Sequence, residues 1–240
     1  MSDRRVRSDR RVRPLRAGFL AAAAVTVYGA ATGRDTLQWL AKPLMMPLLA
    51  ADVATGGADI EPGERIVLLA ALGAATVGDV LLIDPDDDRR LVAGAAAFAV
   101  MQTGYATLWW RRGARPTRPV TVQRLAAWLG AAALLRAKAP TVALPLTAYG
   151  ATLGTAGVLA SDPELAPAAL TVGGLNLPDS DPRSRLALGS LLFTLSDGLI
   201  VLRRIFARST RSRRTTEAVI LTTYAAAQYL LADPRAHTRP

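Results

Sequence analysis

The sequence predicts an all-α fold, a polytopic membrane bundle of about eight transmembrane helices, and three observations predict it. Of the 240 residues, 51% are hydrophobic, and mean hydropathy is positive at +0.24, an excess that a soluble domain of this length does not need. Apolar windows recur at about 15–33, 36–52, 65–83, 91–110, 121–138, 141–160, 185–203 and 215–232, mostly near the ~20 residues that cross a hydrocarbon core. The joints between them are short, charged and often contain proline. The expected organisation is a basic tail over 1–14, one transmembrane bundle over 15–232 and a short C-terminal tail over 233–240.

The first window follows MSDRRVRSDRRVRPLR, which has the outline of a signal peptide. The basic region is long, however, and Ala-rich sequence continues to Gly33 with no clear cleavage site, so a retained helix is expected. The second window is the least apolar, with Lys42, Pro43 and Pro47 inside it, and its prolines predict a kink rather than a break. The third window, RIVLLAALGAATVGDVLLI, carries Asp79, and the seventh, RLALGSLLFTLSDGLIVLR, carries Asp197. The fourth ends in Trp109 and Trp110, a pair expected at the bilayer interface. Pro140 in RAKAP is expected to end the fifth helix and start the sixth. The 161–184 segment, with Asp162, Glu164, Asp179 and Asp181, is too polar to span. The DPDDD run at 84–88 reads as a solvated turn in preference to a cation site. Alanine and glycine throughout allow close helix packing.

Composition excludes several chemistries. Cysteine is absent, which removes disulfides, thiolate metal sites and thiol nucleophiles. The single histidine, His237, lies near the C-terminus, so neither a His-based zinc site nor a Ser-His-Asp triad is expected. No cofactor and no metal are called for. The net charge of +10 comes from 29 basic residues concentrated in the tail and the joints. There they meet lipid headgroups rather than nucleic acid. Arginines crowd the tail (Arg4, Arg5, Arg7, Arg10, Arg11, Arg13, Arg16) and the 111–119 joint, which share one side in an eight-span topology. The positive-inside rule makes that side cytoplasmic, together with both termini, and a bacterial plasma membrane is the expected location. The 204–214 joint, with five arginines on the opposite side, dissents.

Intramembrane ionisable groups are functional candidates, because an ionised Asp at a helix centre costs roughly 2.5–3.5 kcal/mol on insertion scales. Alternation brings the ends of spans two, three and seven to one face. From it Lys42 lies about 9 Å deep, Asp79 about 6 Å and Asp197 about 9 Å, at a rise of about 1.5 Å per residue. Three charges therefore share a layer, with Gln102, Tyr105, Tyr224 and Gln228 somewhat deeper. Gln228 follows Tyr224 by one helical turn and shares its face. Ser196 points about 100° away from Asp197, so both need not meet one cavity. The structural alternative is an Asp79–Lys42 ion pair that only locks helices, and Tyr28, Tyr105 and Tyr149 can serve as packing or interfacial residues.

AKPLMMPLL, GDVLLI, GAAAFAVMQTGY, FTLSDGLIVLRRI and YAAAQYLL, in this order over about 15–232, resemble the YhhN family, whose characterised members are lysoplasmalogenases. The resemblance implies an eight-helix membrane hydrolase that cleaves the vinyl ether of a lysoplasmalogen to a fatty aldehyde and a glycerophospho headgroup. Lys42, Asp79, Tyr105, Ser196, Asp197, Tyr224 and Gln228 match its motif positions, whereas Gln102 stands where family members often have histidine. Vinyl ether hydrolysis needs a proton for the β-carbon and water for the resulting oxocarbenium carbon. Two carboxylates in a low-dielectric pocket can hold one proton between them. Asp197 is assigned as the acid and Asp79 as the ionised partner, the reverse being nearly equivalent. Lys42, Gln102, Tyr105, Ser196, Tyr224 and Gln228 are assigned to substrate binding, with Lys42 near the phosphate of a lysophospholipid or related lipid. Two other readings stand beside this one: a proton-coupled membrane carrier using the same three charges, and a non-catalytic lipid-binding protein that has lost a histidine at 102.

Overall fold

The computed structural model describes residues 2–56, 59–84 and 86–238, with side chains from Pro14 onward. Eight α-helices occupy the described residues: α1 (Ser2–Thr32), α2 (Asp35–Thr55), α3 (Pro62–Leu81), α4 (Asp88–Arg111), α5 (Arg118–Lys138), α6 (Pro140–Ala160), α7 (Leu186–Phe206) and α8 (Thr210–Leu231). Each apolar window lies on one of them. α2 runs through Pro43 and Pro47, and Pro140 opens α6 two residues after α5 ends. The 161–184 segment folds into 3₁₀ turns and a two-residue hairpin, Thr171–Val172 with Leu175–Asn176. Gly173 and Gly174, both at positive φ, make its turn.

Among the described residues four stretches are long and apolar enough to cross a membrane: Pro14–Thr32, Asp88–Arg111, Pro140–Ala160 and Pro182–Phe206. The expectation of about eight spans is therefore too high. α2 carries Asp35, Lys42 and Asp52. α3 has Glu64, Arg65 and Asp79, α5 four basic residues, and α8 three arginines with Glu217. Those charges lower the apolar content of helices that are otherwise long enough. The chain is a helical membrane protein in which the apolar helices carry more polar ones.

The helices pack as a ring in the order α1, α2, α3, α4, α6, α7, α8 and back to α1, with α5 outside against α6. Buried ion pairs close the ring at one end. Arg16, assigned from sequence to the basic tail, is buried; its Nε meets Asp52 at 2.7 Å and its Nη2 meets Asp233 at 3.2 Å. This ties α1 to α2 and to the chain after α8. Arg112 pairs with Glu64 at 2.6 Å and donates to the carbonyls of Ala236 and His237, which anchors the C-terminal 3₁₀ turn, Pro234–His237. The C-terminal tail is thus a docked segment. At the opposite end Asp86 accepts from Arg203 and Arg213, Asp88 pairs with Arg204, and Asp87 caps α4. The DPDDD run, expected as a solvated turn, is an ionic clamp through Asp86 and Asp88, and it pairs with Arg204 and Arg213, two of the five arginines of the 204–214 joint whose charge dissented from the others.

Burial also separates the adjacent tryptophans. Trp109 is fully buried and stacked on Tyr105, with ring centroids 5.6 Å apart, whereas Trp110 is 48% exposed. Consecutive helical residues point about 100° apart, so only one of the pair can face the interface.

His237 is buried and donates from Nε2 to the Leu231 carbonyl at 2.7 Å, leaving Nδ1 without a partner. Burial, reinforced by the nearby Arg112 charge, pushes its pKa down to about 4. A depressed folded pKa means that the unfolded chain binds a proton first. The anchor therefore has its full stability above pH 6.5 and loses it as pH falls from 6.5 toward about 4. Hydrogen exchange of residues 232–238, corrected for intrinsic rates, should lose protection by about tenfold per pH unit in that window. The His237→Gln variant should show a flat profile, and a flat profile in the unmodified protein would contradict the assignment.

Candidate functional site

The site is built where α3, α4, α7 and α8 meet inside the ring. Gly78 and Asp79 lie near the end of α3, and the missing side chain at Gly78 admits the Phe98 ring of α4, which a Cβ there would approach to 2.7 Å. Phe98, Phe193 and Tyr224 then pack edge to face, at centroid separations of 5.6 to 6.0 Å. This aromatic cluster positions Tyr224 so that its hydroxyl donates to Asp79 Oδ2 at 2.9 Å.

A chain of hydrogen bonds continues from there. Gln228 Nε2 donates to the Tyr224 hydroxyl at 3.3 Å, and Tyr105 donates to Gln228 Oε1 at 2.9 Å. All four members are buried, Asp79 being 1% exposed. A buried polar group without a partner costs about 1–3 kcal/mol, so the chain satisfies groups that the apolar core would otherwise penalise. Lys42 is 4% exposed and donates to the Leu82 carbonyl at 2.9 Å. Among the described residues no salt bridge joins Lys42 to Asp79, and Lys42 ties α2 to the end of α3 through the Leu82 carbonyl instead.

Asp197 of α7 is half-buried, and the Tyr149 hydroxyl of α6 donates to its Oδ2. Gln102 lies beside that hydroxyl, and its own Nε2 is buried without a hydrogen-bond partner. Ser196 turns away toward α8, where its hydroxyl donates to the Ile220 carbonyl at 3.0 Å, although its residue still borders the polar chamber. The GD and SD pairs thus divide labour: Gly78 and Ser196 set helix approach, and each aspartate faces the interior.

Three cavities share walls at these residues. A polar chamber of about 30 Å³ is bordered by Lys42, Asp79, Ser196, Asp197 and Tyr224. That is the room of about one water molecule. An apolar groove of about 250 Å³ runs between α5 and α7, and Asp197, Leu82, Phe98 and Ile200 border both spaces. On the other side Arg203 and Glu217, paired at 3.0 Å, stand between the chamber and a charged mouth of about 510 Å³, where Asp84, Asp86, Arg90, Arg213 and Arg214 also stand. Asp197 is therefore the group at which an apolar ligand and a confined water can meet. Among the described residues no three His, Cys, Asp or Glu side chains converge on a point.

Of the sequence-predicted residues, Lys42, Asp79, Ser196, Asp197 and Tyr224 border the one chamber, while Tyr105 and Gln228 support it through Tyr224. Gln102 sits behind Tyr149 rather than in the chamber. Tyr149, expected as a packing or interfacial residue, partners Asp197, and its TAYG setting in an apolar helix gives no hint of a partner on α7. No curated protein and no solved structure matches the chain. Residues 37–234, from the second helix to the end of the last, match the family model of the YhhN family, and the chain belongs to that family.

Proposed function

We propose that the protein is a membrane hydrolase of the lysoplasmalogenase type, cleaving the vinyl ether of a single-chain lipid to a fatty aldehyde and a glycerophospho headgroup. The observation that carries this reading is the place of Asp197, on the boundary between an apolar groove and a water-sized chamber that also holds Asp79 and Lys42. The hydrocarbon lies in the groove and the vinyl ether beside Asp197. Asp197 gives its proton to the β-carbon, and the double-bond electrons form that C–H bond as positive charge develops on the ether-bearing carbon. Water from the chamber adds to that carbon, with its proton passing to a carboxylate. The hemiacetal then opens to aldehyde and alcohol.

Each neighbour has a task in this scheme. Tyr149 holds Oδ2 of Asp197, leaving Oδ1 toward the substrate. Tyr224 fixes Asp79, whose negative charge favours the cationic intermediate. The charged mouth, through Arg203 and Glu217, lets water reach the chamber from one bilayer face. The opposite side, which carries the start of α1 and the end of α8, is proposed to face the cytoplasm of a bacterial plasma membrane.

Purified protein in neutral detergent should release aldehyde from a lysoplasmalogen. Asp79→Asn and Asp197→Asn should each lower kcat by about 100-fold or more, the usual scale for general acid–base groups, with thermal unfolding of each variant checking that the bundle persists. Retained turnover in both variants would end the carboxylate mechanism. Tyr149→Phe should cost about 10–100-fold in kcat with little change in KM, the scale of one hydrogen bond to a charged group. An effect on KM alone would instead make Tyr149 a substrate contact.

A further inference from the structure

We infer that Arg124 is an anion-binding residue of the lipid groove and holds the phosphate of the single-chain phospholipid whose hydrocarbon lies beside Asp197. The lipid's identity rests on the hydrolase reading, whereas the anion site stands on its own geometry. Arg124 lies six residues into α5, about 9 Å from its start at a rise of about 1.5 Å per residue. An arginine on an outer helix of a membrane bundle ordinarily turns its head to water or headgroups. This one turns inward. Its Nη1 donates to the Thr194 hydroxyl of α7 at 2.8 Å. Its guanidinium lies against Gly157 of α6, where a Cβ would come within 3.3 Å of Cζ and Nε. Glycine at 157 makes the cradle.

The counter-ion is what the chain does not supply. Arg16, Arg112 and Arg203 each reach a carboxylate at 3.0 Å or closer. Among the described residues no Asp or Glu pairs with Arg124, and its Nη2 has no hydrogen-bond partner. The same side chain borders both the apolar groove and an adjoining one of about 330 Å³ that reaches Trp110, Pro116 and Thr121. An amphiphile is the ligand that places an anion at a cation and a chain along apolar walls. Thr194 precedes Asp197 by three residues on one helix face, a rise of about 4.5 Å. A glycerol bridge covers that interval, with phosphate at Arg124 and the ether at Asp197. The guanidinium fork suits phosphate oxygens. Lys42 does not fit this role, because its chamber of about 30 Å³ has room for a water and not for a phosphate.

Binding of a 1-O-alkyl lysophospholipid, which has no vinyl ether to cleave, and of the matching 1-O-alkylglycerol tests this on the full chain in neutral detergent. Trp128 borders both grooves and gives a fluorescence signal. The unmodified protein should prefer the phosphate-bearing lipid by at least tenfold, and Arg124→Gln should erase that preference while leaving alkylglycerol affinity unchanged. Arg124→Lys, which keeps the charge and loses the fork, should retain part of it and carries the test if the glutamine variant does not fold. Equal affinity for the two lipids in the unmodified protein, or an undiminished preference in the variants, would overturn the inference. Inorganic phosphate binding as tightly as the lipid would overturn it too, by assigning the cation to a soluble anion. An intact preference without any turnover would support the anion site while removing the hydrolase reading.

Discussion

The hydrogen bond from Tyr224 to Asp79 is the contact on which the interior depends. A carboxylate that is 1% exposed among helices of a membrane protein has to be matched by donors, and its donors come from α8 and, through Gln228, from Tyr105 of α4. Those donors in turn require the aromatic cluster of Phe98, Phe193 and Tyr224, and the cluster requires the open side of Gly78. One polar group thus dictates the residue types at several positions on three other helices. The ion pairs at the two ends of the ring obey the same rule, since each buried guanidinium there has its carboxylate. Arg124 departs from that rule, and the departure points to a ligand.

A consequence is a separation of wet and dry space. The charged mouth and the small chamber gather the polar side chains, whereas the groove between α5 and α7 is lined mostly by apolar ones. α5 stands outside the ring and buries little, only Val120 and Leu135, so the groove beside it lies at the edge of the bundle. A lipid reaching Asp197 from the side does not have to pass through the ionic clamp. Water reaching it from the mouth does not have to cross hydrocarbon. The proposed hydrolysis needs both routes to end at one group.

The sequence carried the gathering of Lys42, Asp79 and Asp197, because helix alternation alone puts those ends together whatever the orientation. It also carried most helix ends, since apolar windows and prolines mark them, but α1 begins at Ser2 and α8 at Thr210, ahead of their apolar windows, because charged residues continue a helix without adding hydropathy. Other features depended on which way a side chain turns. Tyr149 and Gln102 lie in apolar stretches that could face lipid, and only the packing of α6 against α4 and α7 sets them behind Asp197. Arg16 follows a run of tail arginines in sequence, and only the fold brings Asp52 and Asp233 to it. His237 looked terminal and is a buried anchor. The number of membrane-crossing helices was overestimated because apolar length was weighed above the charges that α2, α3, α5 and α8 also carry.

The most direct test of the central claim is an experimental structure of the protein with a 1-O-alkyl lysophospholipid bound. The account predicts density for one hydrocarbon chain between α5 and α7, with the ether oxygen beside Asp197 and an ordered water between Asp197 and Asp79. A lipid bound elsewhere on the bundle, with Asp197 untouched and the groove filled by side chains, would contradict it.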